Sequence, residues 1–124
     1  MKNYSKQREA ILYNLSLRKD HPTAAQIYEG VRLELPNISL GTVYRNLADL
    51  VKSGEIICVN VSDGQEHYDF DTAPHLHLHC KTCGEIYDAP LESKTVSKIV
   101  KDNLFSCESY CFVINGLCKN CNQQ

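Results

Sequence analysis

The sequence predicts an α+β chain: a winged helix-turn-helix over residues 1–72, then a small α/β domain over residues 73–124 that closes on a structural zinc site. Three observations lead there. Three short helical segments with capping signals come first, and a hairpin signal follows the third directly. Two Cys-x-x-Cys pairs, Cys80/Cys83 and Cys118/Cys121, bracket much of the second half. Alternating histidines, His75-Leu76-His77-Leu78-His79, run straight into the first pair.

Taken in order, Ser5 can cap a first helix whose apolar face is Ala10, Ile11, Leu12 and Leu15, broken at Asp20-His21-Pro22. Thr23 with Gln26 forms a capping box for a second helix with Ile27, Tyr28, Val31 and Leu35 inward, ended by Pro36-Asn37. Ser39 caps a third helix that buries Val43, Leu47, Leu50 and Val51, and Gly54 is its stop. The period then changes from helical to β. Ile56–Val61 reads as a strand, Asp63-Gly64 as a hairpin turn and His67–Phe70 as the return, which makes the unit winged.

A linker is expected around Thr72-Ala73-Pro74. Beyond it come a strand at His75–Cys80, a knuckle at Lys81-Thr82-Cys83-Gly84 and a strand at Glu85–Ala89. A helix from Ser93 to about Asn103 should turn Val96, Ile99, Val100 and Leu104 inward. A last strand, Ser109–Asn115, delivers Gly116 and the second cysteine pair.

Composition narrows the functional classes. No long apolar run and no basic-then-apolar leader is found in the 124 residues, so a soluble, cytoplasmic protein without a membrane partner is expected. Seven cysteines in that compartment favour metal over disulfides, and an odd number excludes a fully paired framework. Net charge is −2. The halves differ: residues 1–62 carry eight Lys/Arg against six Asp/Glu, or +2, and residues 63–124 carry five against nine, or −4. A DNA-facing first half and a cation-collecting second half fit that asymmetry.

Four thiolates complete a tetrahedron with no open position, so Cys80, Cys83, Cys118 and Cys121 are expected to hold zinc for structure. A thioredoxin-type redox pair is the alternative, and the βαβ context it needs is missing. Of the remaining cysteines, Cys111 is expected in a core-facing strand and Cys58 in the wing, each a small hydrophobe.

His75, His77 and His79 share one face of a strand and could converge on an ion. A lone histidine is more often surface or core. Here, though, all five histidines lie at His21 or between His67 and His79. A metal gripping both halves would fix their orientation and so act as an effector. Asp69, Asp71 and Asp88 are nearby carboxylates, and mixed imidazole–carboxylate sets suit Fe(II) or Mn(II), though affinity order alone would favour zinc or copper. On the third helix Thr42, Tyr44, Arg45, Asn46 and Asp49 lie off the buried stripe. Arg and Asn there suit guanine and adenine edges in the major groove, with Lys52 as a phosphate contact. An ordinary solvated face is the alternative; the cap and the wing favour DNA.

His21-Pro22-Thr23-Ala24 leading to Ile27-Tyr28, then Gly41-Thr42-Val43-Tyr44-Arg45-Asn46-Leu47, then His75-x-His77-x-x-Cys80-x-x-Cys83-Gly84, resemble the ferric uptake regulator (Fur) family. The similarity spans about Gln7 to Cys121. It implies a homodimeric winged-helix repressor: an N-terminal domain on palindromic double-stranded operators, a C-terminal dimerisation domain and a regulatory metal that holds the DNA-competent shape. The chain looks most like the peroxide-sensing branch, whose regulatory site has three His and two Asp; His21, Asp69, His75, His77 and Asp88 match those positions. Pro74, Leu76 and Leu117 stand where iron-responsive members place further ligands.

In that branch bound Fe(II) reacts with peroxide and a ligand histidine is oxidised, for which His21 and His75 are the candidates. With Mn(II) the same fold would repress without sensing peroxide, and no other small-molecule substrate is implied. The motif begins close to the N-terminus, so the extra DNA-contacting helix of typical members is expected to be missing. His79 could substitute as a ligand. Competing readings are an iron- or zinc-uptake regulator binding metal reversibly, a His/Asp metalloenzyme, and a metal-storage protein. For the enzyme no general base or substrate pocket can be named, and storage leaves the winged helix unused.

Overall fold

The computed structural model describes residues 2–108 and 110–122, with side chains from Lys6 onward. The chain forms α1 (Lys2–Ser16), α2 (Ala24–Val31), α3 (Leu40–Lys52), β1 (Ile57–Asn60), β2 (Glu66–Asp69), β3 (His75–Cys80), β4 (Ile86–Pro90), α4 (Ser93–Asp102) and β5 (Phe112–Gly116). Two compact units result. One runs to Asn60 and resumes at Gly64–Thr72; the other holds Val61–Asp63 and the described residues from Ala73 onward. No helix among the described residues is long and apolar enough to cross a membrane.

In the first unit, helix boundaries follow local chemistry. Thr23 accepts from Gln26 N–H while the Gln26 side chain caps Thr23 N–H in return, so two otherwise unpaired donors are satisfied at the start of α2. Ser39 Oγ accepts from Thr42 N–H at 3.1 Å at the start of α3. At its end Gly54, with φ 81°, donates to Val51 O, and Glu55 N–H donates to Leu50 O. Those two bonds are the paired closure of a helix that stops on a left-handed glycine.

Two expectations shift. Helix α1 starts at Lys2, so Ser5 lies inside it rather than capping it. Helix α2 ends at Val31, short of Pro36, because i→i+3 bonds from Leu33 to Gly30 and Glu34 to Val31 tighten the chain into turns. Gly30 also serves packing: a Cβ there would sit 2.5 Å from Asn14 Nδ2 of α1.

Ile11, Leu15, Ile27, Val31, Val43, Leu47 and Leu50 pack with Ile56 and Tyr68 into one core. Leu47 is 0 % exposed at its centre. Leu47→Ala should therefore cost about 2–5 kcal/mol, read as a lowered denaturant midpoint with unchanged slope. The hairpin pairs β1 with β2 in antiparallel register, Val59 opposite His67 and Ile57 opposite Asp69.

The second unit is a three-stranded sheet in the order β4-β3-β5, antiparallel on one side and parallel on the other. Its apolar content is thin. Among the described residues only Val61, Cys80 and Ile86 are buried apolar side chains there. Helix α4 buries nothing, and Ile99, Leu104 and Phe105 are exposed, Leu104 to 96 %. The inward role expected for Ile99 and Leu104 is thus not met within one chain. Strand β5 starts at Phe112, so Cys111 precedes it and is exposed rather than core-facing. Ser109, the expected start of that strand, lies outside the described residues.

Candidate metal centres and nucleic-acid face

The four-cysteine cluster is assembled by two turns and one strand pair. Gly84, with φ 81°, donates to Cys80 O, and Cys80 N–H donates to Glu85 O, which folds the first knuckle. Cys121 and Asn122 N–H groups both reach Cys118 O in the second. The parallel β3–β5 register sets Cys80 opposite Gly116, two residues before Cys118, and joins them.

The four sulfurs lie within 4.8 Å of one another, and Cys83 and Cys118 Sγ are 3.9 Å apart. Zinc–sulfur bonds of about 2.3 Å require tetrahedral edges of about 3.8 Å. The set fits a structural zinc.

Hydrogen bonding splits these thiols when no metal is bound. The Cys83 amide N–H, followed by that of Cys118, lowers Cys80 to about 6. Cys121 is pushed up to about 12, chiefly by its side-chain bond to Cys118, and Cys83 is raised. Zinc takes thiolates, so uptake near neutral pH should release protons from these residues and weaken as pH falls. A binding heat that changes with buffer ionisation enthalpy measures it.

Within the first unit, His21 and Asp69 meet. His21 lies in the α1–α2 connection with φ 51°, a left-handed conformation that costs a side-chain-bearing residue about 1–3 kcal/mol and collects at functional sites. Its Nε2 lies 3.3 Å from Asp69 Oδ2, and both side chains are nearly buried. Asp69 Oδ1 accepts from Asp71 N–H at 2.9 Å, which orients the carboxylate. Asp71 is exposed and acts there through its backbone.

Within the second unit, His75, His77 and Asp88 meet. The register sets His77 opposite Asp88. His75 Nδ1 is 2.6 Å from the Ala73 carbonyl. A carbonyl only accepts, so His75 carries a hydrogen on Nδ1, which turns its Nε2 toward His77 and Asp88. That Nε2 is 2.9 Å from His77 Nε2 and 3.3 Å from Asp88 Oδ1, which is 3.6 Å from His77 Nε2. Metal–nitrogen bonds of about 2.1 Å place adjacent ligands about 3.0 Å apart around an octahedral ion and about 3.4 Å apart around a tetrahedral one. The spacing fits a cation of either geometry, and imidazole with carboxylate suits a first-row divalent ion.

His79 does not join them. Its Nδ1 is held by Asn115 Oδ1 at 3.0 Å and Ser62 Oγ at 3.2 Å, while Ser62 N–H donates to the same Asn115 oxygen.

On α3, Tyr44, Arg45 and Lys52 are exposed and Thr42 is half-buried. Thr42 Oγ1 bonds Ser39 Oγ and accepts from Arg45 at 3.4 Å. Asn46 is different. It is 1 % exposed and its Nδ2 donates to Thr42 O, so it does not face a groove as expected. Three residues from Val43 and four from Leu50, it falls on the buried stripe, where helical period overrides residue type. An open cleft of about 590 Å³ lies between α3 and the hairpin, lined among others by Tyr44, Arg45, Cys58, Glu66 and Tyr68. Cys58 is half-buried there and donates to Glu66 Oε2 at 3.6 Å.

Sequence reasoning missed two contributors. Arg18 and His67 both bond the segment carrying His21, and only the i, i+2 spacing of His67 and Asp69 could have pointed to one of them.

Comparisons with known proteins agree in kind. The profile of the ferric uptake regulator family matches residues 2–114. A peroxide-responsive repressor PerR of Staphylococcus saprophyticus is 34 % identical over 122 residues, which is 95 % of this chain and 81 % of that protein. The crystal structure of the Campylobacter jejuni peroxide stress regulator aligns with TM-score 0.81 and 28 % identity, covering 96 % of this chain and 91 % of that one. The Helicobacter pylori ferric uptake regulator Fur, a structure described as having three functional metal-binding sites, aligns with TM-score 0.82 and 26 % identity over 97 % of this chain and 84 % of its own.

Proposed function

The chain belongs to the ferric uptake regulator family, whose members are metal-responsive transcriptional regulators, and from that premise we propose that it is a cytoplasmic, homodimeric repressor sensing peroxide. Residues 1–72 form its DNA-binding domain and residues 73–124 its dimerisation and metal-binding domain. Cys80, Cys83, Cys118 and Cys121 hold structural zinc. His21, Asp69, His75, His77 and Asp88 together hold one regulatory Fe(II) or Mn(II), whose occupancy sets the DNA-competent arrangement.

The observation that carries this reading is the donor arrangement at β3: the His75 ring, fixed by the Ala73 carbonyl, brings its Nε2 together with His77 Nε2 at one Asp88 oxygen. A backbone carbonyl that fixes the ring through one nitrogen is a usual outer partner of a metal-binding histidine. The left-handed His21 beside Asp69 supports the other part of the set. When bound, Fe(II) would supply the reduction of peroxide; the chain contributes the imidazole that is oxidised, His21 or His75. Dimerisation is supported by family membership, and Ile99, Leu104, Phe105, Ile114 and Leu117 are exposed apolar side chains that a partner subunit would cover.

For DNA, Thr42, Tyr44 and Arg45 are the groove-facing candidates and Lys52 a phosphate contact. If Arg45 reads a base, Arg45→Ala should cost about 1–3 kcal/mol on the cognate site and relax sequence preference. Equal loss on every duplex would assign it to the phosphates instead. The overall reading is tested by selecting palindromic duplexes from a random pool with Mn(II)-loaded protein and then adding chelator. Release from the selected duplex is expected. Retention at unchanged affinity would reject a metal-dependent repressor.

A further inference from the structure

We propose that His67 and Arg18 are positioning residues for the regulatory metal, holding His21 in its ligating conformation before any ion arrives. The inference rests on the reading of His21 and Asp69 as ligands and adds what prepares them.

His67 and Asp69 are two apart on β2, so their side chains share a face. Both address His21. Asp69 Oδ2 meets its ring at 3.3 Å, and His67 Nδ1 lies 2.7 Å from its backbone carbonyl. A carbonyl only accepts, so His67 carries its hydrogen on Nδ1 and donates it. One strand face thus grips one residue twice, by side chain and by backbone. The neighbouring bonds run the same way: Tyr68 N–H donates to Pro22 O at 2.9 Å, and Thr23 bridges to His67.

Arg18 supplies a second grip. Its Nε and one terminal nitrogen bond the two Asp20 oxygens at 3.0 and 2.8 Å, and its other nitrogen donates to Gln26 O at 3.1 Å. One planar guanidinium therefore ties the residue before His21 to the first turn of α2, a fork that lysine could not reproduce.

A left-handed histidine is not the conformation a free loop would choose. Without these bonds the segment would relax, and an arriving ion would have to reorder it. Neither residue touches the ion in this account. Their effect is on how much of the metal-free protein has His21 ready, which scales apparent affinity directly.

The test compares His67→Leu, His67→Asn and Arg18→Met with His21→Ala. Asparagine keeps an N–H donor near the position of Nδ1, and leucine does not. Two readouts are taken: Mn(II) affinity of the zinc-loaded protein, and the backbone chemical shifts of His21 in protein lacking Mn(II), which report its φ. His67→Leu and Arg18→Met should weaken Mn(II) by about 10- to 100-fold, the range for losing an outer partner, with the left-handed shifts of His21 lost. His67→Asn should restore much of both. Arg18 is partly exposed, so its variant keeps the test open if His67→Leu fails to fold. Unchanged shifts and affinity in Arg18→Met and the foldable His67 variants, with Mn(II) binding abolished in His21→Ala, would overturn the inference alone. If His21→Ala itself binds Mn(II) normally, the ligand set falls and this inference with it.

Discussion

Cys80→Ser should leave the protein without its zinc and with the second unit unfolded. The reason is how little else holds that unit. Its buried apolar side chains among the described residues are Val61, Cys80 and Ile86, and α4 buries none. The extended core belongs wholly to the first unit. Structural zinc sites in small folds contribute about 10–16 kcal/mol of apparent binding energy, against about 5–15 kcal/mol for the whole stability of an ordinary domain. Cys80 also ends the central strand, accepts from Cys83 N–H through sulfur and fixes the knuckle through its backbone. Serine keeps the backbone but offers a poor ligand. Metal analysis should fall from one zinc per chain to none, with loss of the sheet signal in circular dichroism. Retained zinc and an unchanged melting curve would show that the cluster is dispensable.

The second large effect concerns peroxide. Protein loaded with Fe(II) should lose its operator on exposure to hydrogen peroxide and carry one added oxygen on the peptide containing His21 or His75; protein loaded with Mn(II) should do neither. The two residues are held differently: the His21 backbone carbonyl is tied to His67 while its ring meets Asp69 through Nε2, and the His75 ring is fixed through Nδ1 by the Ala73 carbonyl. On the proposed ligand set, oxidation of either ring would remove an imidazole donor, so the ion should leave and the operator be released. Mass mapping with operator binding on the same sample reads both. Release by chelator, without an oxygen adduct after peroxide, would instead favour a regulator that takes up its metal reversibly.

Much of this was legible because its causes are local. Thr23-x-x-Gln26, Ser39 and Gly54 satisfy helix ends with bonds reaching only a few residues, so residue type alone announces them. Strand β3 matches the alternating histidines residue for residue, since period two and the knuckle glycine bound it on their own. The four-cysteine cluster is likewise a matter of spacing.

Where the reading failed, the cause was non-local. Residue type suggests a groove-facing Asn46, but its position relative to Val43 and Leu50 puts it on the buried stripe. The helical period turns Ile99 and Leu104 to the apolar side, but a pattern records only residue spacing, and both are exposed. The grips on His21 from Arg18 and His67 depend on a loop conformation and a strand register that no short motif encodes.

The central claim is that occupancy of the His/Asp set governs hold on DNA. The direct measurement is operator affinity at saturating Mn(II) for the zinc-loaded chain and for its variant with alanine at His21, His75, His77 and Asp88. The account predicts that Mn(II) tightens the unaltered protein by about 5- to 150-fold, the usual range for coupling between an effector and a second ligand, and leaves the variant unmoved. Equal tightening of both proteins would contradict it.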